Sequence, residues 1–377
     1  MEQQTVLIIG GGQAAVQTVI SLRTEGRIVL VGSEPVLPYQ RPPLSKAYLS
    51  GQLAHERLFI RPPAYYEHAN VETLLGVSVT GLDFPSKRAA LSDGQTLVYD
   101  HLVFATGGRP RQLSCAGADH PRVHYFRNIA DVQAIRPHLQ AGARLVLIGG
   151  GYIGLEIAAI ASKLGLLVTV LEAMPALLAR VTCPEVAAFY QREHEQQGVD
   201  IRCGAMVDGI EGNAEQLRVI TRDGSTFDAD LVIAGIGLLP NVELALASGL
   251  ICDDGILVDE LCRASIAPGT LRRSTARCYA WNQYPMLSSR ARPWPQRSAA
   301  SRSPTDRCLG FGPTSTTSSC RPPDSAAATT RSCCAVSKSL APSPRSTCAM
   351  DACLQLTRSI VRSNSRCRKL GLLSANT

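Results

Sequence analysis

Short apolar runs recur along the first two thirds of the chain, and each is closed by glycine, proline or an acid. Read for period, residues 5–9 predict a strand, 13–24 a helix with a small-residue start, and 28–31 a second strand. A proline-rich segment, 38–46, interrupts the pattern. A short strand near 74–79, a hairpin over 89–97 turning at Asp93-Gly94, and a strand over 102–105 follow. The order then repeats. Residues 144–172 predict strand, helix and strand, and further strands are predicted at 216–221 and 231–234. Residues 255–259 (Gly-Ile-Leu-Val-Asp) predict a return strand to the first sheet, so that the second copy reads as inserted into the first.

Both copies carry the same turn between first strand and helix: Gly10-x-Gly12-x-x-Ala15 and Gly149-x-Gly151-x-x-Gly154. The first glycine makes the tight turn, the second lets a phosphate approach the backbone, and the third small residue lets helix and strand pack closely. The unpaired N–H groups of a helix start favour an anion. A carboxylate ends each second strand: Glu34 lies 24 residues past Gly10 and Glu172 lies 23 past Gly149. Small-residue exits, Ala105-Thr106-Gly107 and Gly235-Ile236-Gly237, close both copies. The expected architecture is α/β with two Rossmann-like dinucleotide-binding domains: 1–112 and 236–264 form one, and 113–235 form the other. Two such sites in one chain suit a flavin that takes hydride from a nicotinamide.

Composition changes the picture near Ser265. Residues 1–264 hold 21 Lys and Arg against 28 Asp and Glu, whereas 265–377 hold 17 against 3, with no Glu and eight of the 13 cysteines. Apolar period stops at the same place, and 265–377 reads as an irregular basic Ser/Arg/Cys-rich tail. The five cysteines of the body (115, 183, 203, 252, 262) show no metal spacing and fit a reducing cytosol. The amino terminus lacks a basic n-region and an h-region, and no run approaches the roughly 18 apolar residues of a membrane span. A cytoplasmic, metal-free protein with no membrane contact is expected.

Four stretches carry a specific resemblance: PLSKAYL at 43–49, ATGGRPR at 105–111, VLIGGGYIGLE at 146–156 and LVIAGIGLLP at 231–240. The chain resembles the ferredoxin reductases of bacterial oxygenase systems, within the wider pyridine-nucleotide flavoproteins, from residue 5 to 264. The resemblance implies that Gly10, Gly12, Ala14 and Ala15 hold FAD, with Ser33 and Glu34 at the adenosine ribose. Arg41, Lys46 and Arg127 would lie against the flavin nucleotide, Val79 against the adenine, and Ala105, Thr106 and Gly107 beside the cofactor. Gly149, Gly151, Tyr152, Ile153 and Gly154, with Gly235, Ile236 and Gly237, would hold NADH. Glu172 repels a 2′-phosphate and so disfavours NADPH. Lys46 and Glu156 would form an ion pair near the flavin N5.

Disulfide reductases of this fold carry a cysteine pair soon after the second strand, yet no cysteine stands between Ser33 and Ile60. Electrons are therefore expected to leave for a separate polypeptide, a [2Fe–2S] ferredoxin by the resemblance. A rubredoxin reductase or an NADH oxidase on the same scaffold is the enzymatic alternative. A nucleic-acid-binding protein acting through the basic tail is the non-enzymatic one. The family's third, C-terminal α/β domain has no counterpart after Ser265, and a one-nucleotide frame change there is expected. Permitted codons for residues 284–290 read S-N-A-L-E-Q in the shifted frame, a string this family uses. Weak FAD binding and ready aggregation are the expected consequence for the chain as written.

Overall fold

The computed structural model describes residues 4–22, 26–213, 216–259, 262–265 and 278–280, all within the compact unit that runs to Pro304. The first sheet is built from β1 (Thr5–Ile9), β2 (Arg27–Gly32), β3 (Val71–Leu75) and β4 (His101–Phe104), with α1 (Gln13–Ser21) between β1 and β2. Its order is Arg263–Ala264, Cys278–Ala280, β4, β1, β2, β3, and all pairings except the outermost one at Arg263–Ala264 are parallel. Val6 to Ile9 and Ile28 to Val31 are buried, as continuous apolar strands of a covered parallel sheet must be.

The second sheet holds β5 (Val123–Tyr125), β6 (Arg144–Ile148), β7 (Leu167–Glu172), β8 (Asp200–Cys203) and β9 (Leu231–Ala234) in the order β8-β7-β6-β9-β5, all parallel. Helix α2 (Ile129–Ile135) follows β5 and α3 (Tyr152–Lys163) follows β6. A three-stranded antiparallel meander accompanies each sheet, at 79–98 and 207–229. In both sheets the order reverses at the strand that feeds the glycine turn, β1 between β2 and β4, and β6 between β7 and β9. Ligands of open α/β sheets bind at that switch point.

The proline-rich segment does not lie loose on the surface. Tyr39, Leu44, Tyr48, Leu49 and Leu58 are buried in the same apolar cluster as Leu145, Leu147, Leu155, Ile157 and Ala158 of the second sheet and α3. The guanidinium of Arg136 adds a contact 4.8 Å from the Tyr48 ring centre and donates to the Tyr48 carbonyl. The two chain crossings between the sheets also pair with each other: Gly108–Pro110 and Leu238–Pro240 form an antiparallel ribbon with Leu239 opposite Arg109.

Three local expectations are corrected. The strand expected near 74–79 is split into β3 and a strand at Val79–Asp83, because Gly76 turns the chain at φ +71°. Residues 255–259 do not run as a strand of the first sheet and meet it only at its edge. Gly255–Ile256 folds back on Cys252–Asp253, and Val258 bridges to Ala264. The return is made by Arg263–Ala264 and by Cys278–Ala280, which pairs with β4 inside the stretch expected to be irregular. Of the tail, only Ser265 and 278–280 are described, so the frame change and nearly all of 265–377 lie outside the described residues.

Candidate dinucleotide sites

The two glycine turns share a hydrogen-bond plan. Gly10 N–H donates to Val31 and Gly149 N–H donates to Leu171, each at 2.8 Å, which ties each turn to the strand beside it. Ala105 N–H donates to Ile9 and Gly235 N–H donates to Ile148, each at 2.7 Å, which ties each exit to the same central strand. The first glycines have positive φ, +120° at Gly10 and +109° at Gly149. A Cβ on Gly10 would stand 2.1 Å from the Ala105 carbonyl oxygen, and one on Gly149 would stand 2.5 Å from that of Gly235. Gly154 is enclosed as tightly, since a Cβ there would stand 2.3 Å from the Gly149 carbonyl oxygen. Ala15 fills the matching place in the first turn and is fully buried.

The second glycines behave oppositely. A methyl group built on Gly12 or Gly151 meets no heavy atom within 4 Å. Both residues cap their helices in extended conformation, and neither cap supplies a side-chain acceptor to the helix start. A pyrophosphate fits this arrangement, which combines backbone donors, a favourable dipole end and no side chain in the approach.

Beside the first turn, Gly10, Ser33, Val79 and Thr106 line one cavity of about 440 Å³, together with Asn241, Glu243 and Leu244. Four of the residues expected at FAD are thus brought to one space at the carboxyl ends of β1, β2 and β4. Asn241 was not expected. Its side-chain amide donates to the Thr106 carbonyl at 2.9 Å, its own carbonyl accepts from the Thr106 hydroxyl at 2.8 Å, and its N–H donates to Gly107 at 3.0 Å. Arg109 reaches both Asn241 Oδ1, at 3.0 Å, and Glu243, at 2.6 Å.

The two acids end their strands as expected but are already engaged. Glu172 Oε2 accepts from Gly150 N–H at 2.6 Å and Oε1 from Met174 N–H at 2.7 Å, so the acid braces its own glycine turn. Glu34 accepts from Arg41 on one oxygen and from the Tyr39 hydroxyl on the other. Arg41 also donates to the Arg127 carbonyl at 2.9 Å, and Arg127 N–H donates to Asp131, which completes the capping box of α2 with the N-cap Asn128. Burial holds the Asp131 carboxyl above its ordinary range, against the two N–H groups of Asn128 and Arg127. Tyr152 and Ile153 are about half exposed on the first turn of α3.

Lys46 and Glu156 meet. Lys46 Nζ lies 2.5 Å from Glu156 Oε2, and the buried Ser45 hydroxyl donates to the same oxygen, also at 2.5 Å. Lys46 sits at a kink in the single wide helical turn Leu44–Tyr48, and its ammonium also donates to the Pro42 carbonyl. The pair therefore joins the segment after the first glycine turn to the helix that opens at the second.

The pyridine nucleotide-disulphide oxidoreductase profile matches residues 4–269, most of the chain's length. The chain belongs to the pyridine nucleotide-disulphide oxidoreductase family. It is 47% identical over 264 residues to putidaredoxin reductase CamA of Pseudomonas putida, which covers 68% of this chain and 63% of that protein. Rhodocoxin reductase of Rhodococcus erythropolis is 41% identical over 263 residues, 69% of this chain and 62% of that one. The chain thus matches less than two thirds of the length of these relatives. Among solved structures, the covalent putidaredoxin reductase–putidaredoxin complex superposes with a TM-score of 0.70 at 41% identity, covering 77% of this chain and 73% of that one. The two-sheet α/β architecture is that of the family. Among the described residues no helix is long and apolar enough to cross a membrane, and no group of three or more His, Cys, Asp or Glu could hold a metal ion.

Proposed function

We propose that this chain carries the two nucleotide sites of an NADH-dependent ferredoxin reductase, with FAD at the Gly10–Ala15 turn and NADH at the Gly149–Gly154 turn. The observation that carries this reading is the Lys46–Glu156 pair, a cation and an anion held between the two glycine-turn systems rather than within either one. FAD held at the first turn would supply hydride acceptance and single-electron release, which suits a one-electron protein acceptor. The chain's own work is positional. The helix starts bind the pyrophosphates, Glu34 and Glu172 offer their remaining lone pairs to ribose hydroxyls, and the paired crossings keep the two sheets in one orientation. Lys46 would offer a positive charge to a reduced flavin bound beside it, and Glu156 holds that ammonium in place. A [2Fe–2S] ferredoxin of an oxygenase system is the proposed acceptor.

Anaerobic addition of NADH to FAD-loaded protein tests the reading. Loss of the oxidised flavin absorbance is expected, followed by reduction of a [2Fe–2S] ferredoxin faster than of rubredoxin or dioxygen. Faster reduction of rubredoxin or dioxygen would move the assignment to the alternative reductase or oxidase. The coding sequence across codons 255–290 tests the frame change. Restoring the shifted frame is expected to raise FAD occupancy, and stoichiometric flavin in the chain as written would contradict that expectation.

Coenzyme choice yields a separate prediction. The charge of Glu172 is pinned at the end of β7 by Gly150 and Met174, and Ala173-Met174-Pro175 supplies no cation to offset it. In Glu172→Gln the carboxamide oxygen can still accept from Gly150. The kcat/KM ratio of NADPH to NADH is expected to rise about tenfold, roughly 1.4 kcal/mol. Steady-state assays with both coenzymes check it, and an unchanged ratio would remove Glu172 from the ribose.

A further inference from the structure

Tyr39 is 2% exposed, between the Glu34 carboxylate and the first turn of α2. Its hydroxyl lies within hydrogen-bond reach of three partners: Glu34 Oε2, Arg41 Nη1 at 2.8 Å and Ile129 N–H at 3.2 Å. Arg41 and the amide can only donate, so the single phenolic proton must point at Glu34, and both oxygen lone pairs are taken. The Arg41 guanidinium lies 4.9 Å from the Tyr39 ring centre and closes the group from above the ring. Burial, with Glu34 beside it, pushes the phenol's pKa above its ordinary value and keeps the proton in place, while Arg41 opposes the shift.

This fixes the carboxylate. Ionised Glu34 offers about four lone-pair directions. Arg41 takes one on Oε1 and Tyr39 takes one on Oε2, which leaves one on each oxygen. Turning the carboxylate out of this plane would break both the Tyr39 and the Arg41 bonds, while the Tyr39 oxygen stays fixed by its buried ring and by the Ile129 amide. We propose that Tyr39 is a positioning residue for the flavin nucleotide: it locks Glu34 in the rotation whose free lone pairs face the two adenosine-ribose hydroxyls. The proposal rests on the reading that FAD occupies the first glycine turn.

The test compares two ligands on the full chain by flavin fluorescence: FAD, and the FAD analogue lacking both adenosine-ribose hydroxyls. Wild type is expected to prefer FAD by about tenfold, and Tyr39→Phe is expected to lower the preference to about twofold, because a hydrogen bond to a charged group is lost in its proper orientation. In a Glu34→Ala background, Tyr39→Phe is expected to change the preference no further. A wild type that binds both ligands alike would remove the underlying assignment of Glu34; where the chain as written binds too weakly to measure, the same ratio is read on the frame-restored chain. A wild-type preference that survives intact in Tyr39→Phe would overturn the role of Tyr39 alone, and so would equal weakening of both ligands, the signature of lost packing. If Tyr39→Phe does not reproduce the wild-type circular dichroism, Tyr39→Met is judged by the same ratio.

Discussion

Gly10→Ala is expected to destabilise the first sheet by several kcal/mol, whereas Gly12→Ala, two residues away, is expected to leave the fold intact and weaken flavin binding. At Gly10 the new methyl group meets backbone, the Ala105 carbonyl oxygen at 2.1 Å and its carbon at 2.5 Å, and the φ of +120° is one that L side chains rarely adopt. Neither neighbour can yield without parting β1 from β4, whose pairing the Ala105–Ile9 bond closes. Backbone strain of about 1–3 kcal/mol and overpacking of about 1–3 kcal/mol add, against a total stability of about 5–15 kcal/mol for an ordinary domain. At Gly12 the backbone is extended at φ −97° and the methyl group meets nothing, so the melting temperature should stay within a degree or two of wild type. That methyl group points into the approach a pyrophosphate needs, and FAD affinity should fall by at least about a hundredfold, roughly 2.7 kcal/mol. Thermal unfolding and flavin fluorescence, measured on both variants, separate the two losses. A flavin-binding Gly12→Ala protein would show that the phosphate does not approach there.

Lys46→Ala is expected to slow reduction of the flavin by NADH about 10²- to 10³-fold, the usual cost of removing one preorganised charge-stabilising donor. Glu156→Ala should slow it similarly, and the double variant little further, because the residues touch and act as one unit. Stability should barely change. Lys46 is about half exposed and Glu156 about a third, and such pairs contribute about 1 kcal/mol at most. Stopped-flow reduction at saturating NADH gives the rate, and the FAD dissociation constant serves as control. Additive losses in the double variant would mean that the two side chains serve separate steps.

The parts of this molecule that are legible in its sequence are those in which cause and effect lie close along the chain. The strand–turn–helix units at Val6 to Ala15 and Val146 to Gly154 announce themselves through apolar runs and glycine spacing, since a parallel strand must be apolar on both faces and the first position of the turn has no room for a side chain. The acids at 34 and 172 follow from the same unit. The return strand was misread for the converse reason. Gly255 to Val258 is apolar, but Leu257 and Val258 are about half exposed, and composition over four residues does not tell a surface hairpin from a sheet strand. The braces were hidden altogether. Asn241 binds Thr106 across 135 residues, Ser45 binds Glu156 across 111, and no local pattern encodes such pairings. Tyr39 is only five residues from Glu34, yet it stands in a proline-rich segment whose path periodicity does not predict.

The ribbon of Gly108–Pro110 with Leu238–Pro240 has an engineering consequence. The peptide departs from one lobe and comes back to it at neighbouring points, held by Arg109, Asn241 and Glu243. Adjoining ends are what transplantation of a lobe requires. Cuts at this seam define a cassette that can be exchanged for one from a relative of different coenzyme preference while the half built on the Gly10 turn keeps its own register.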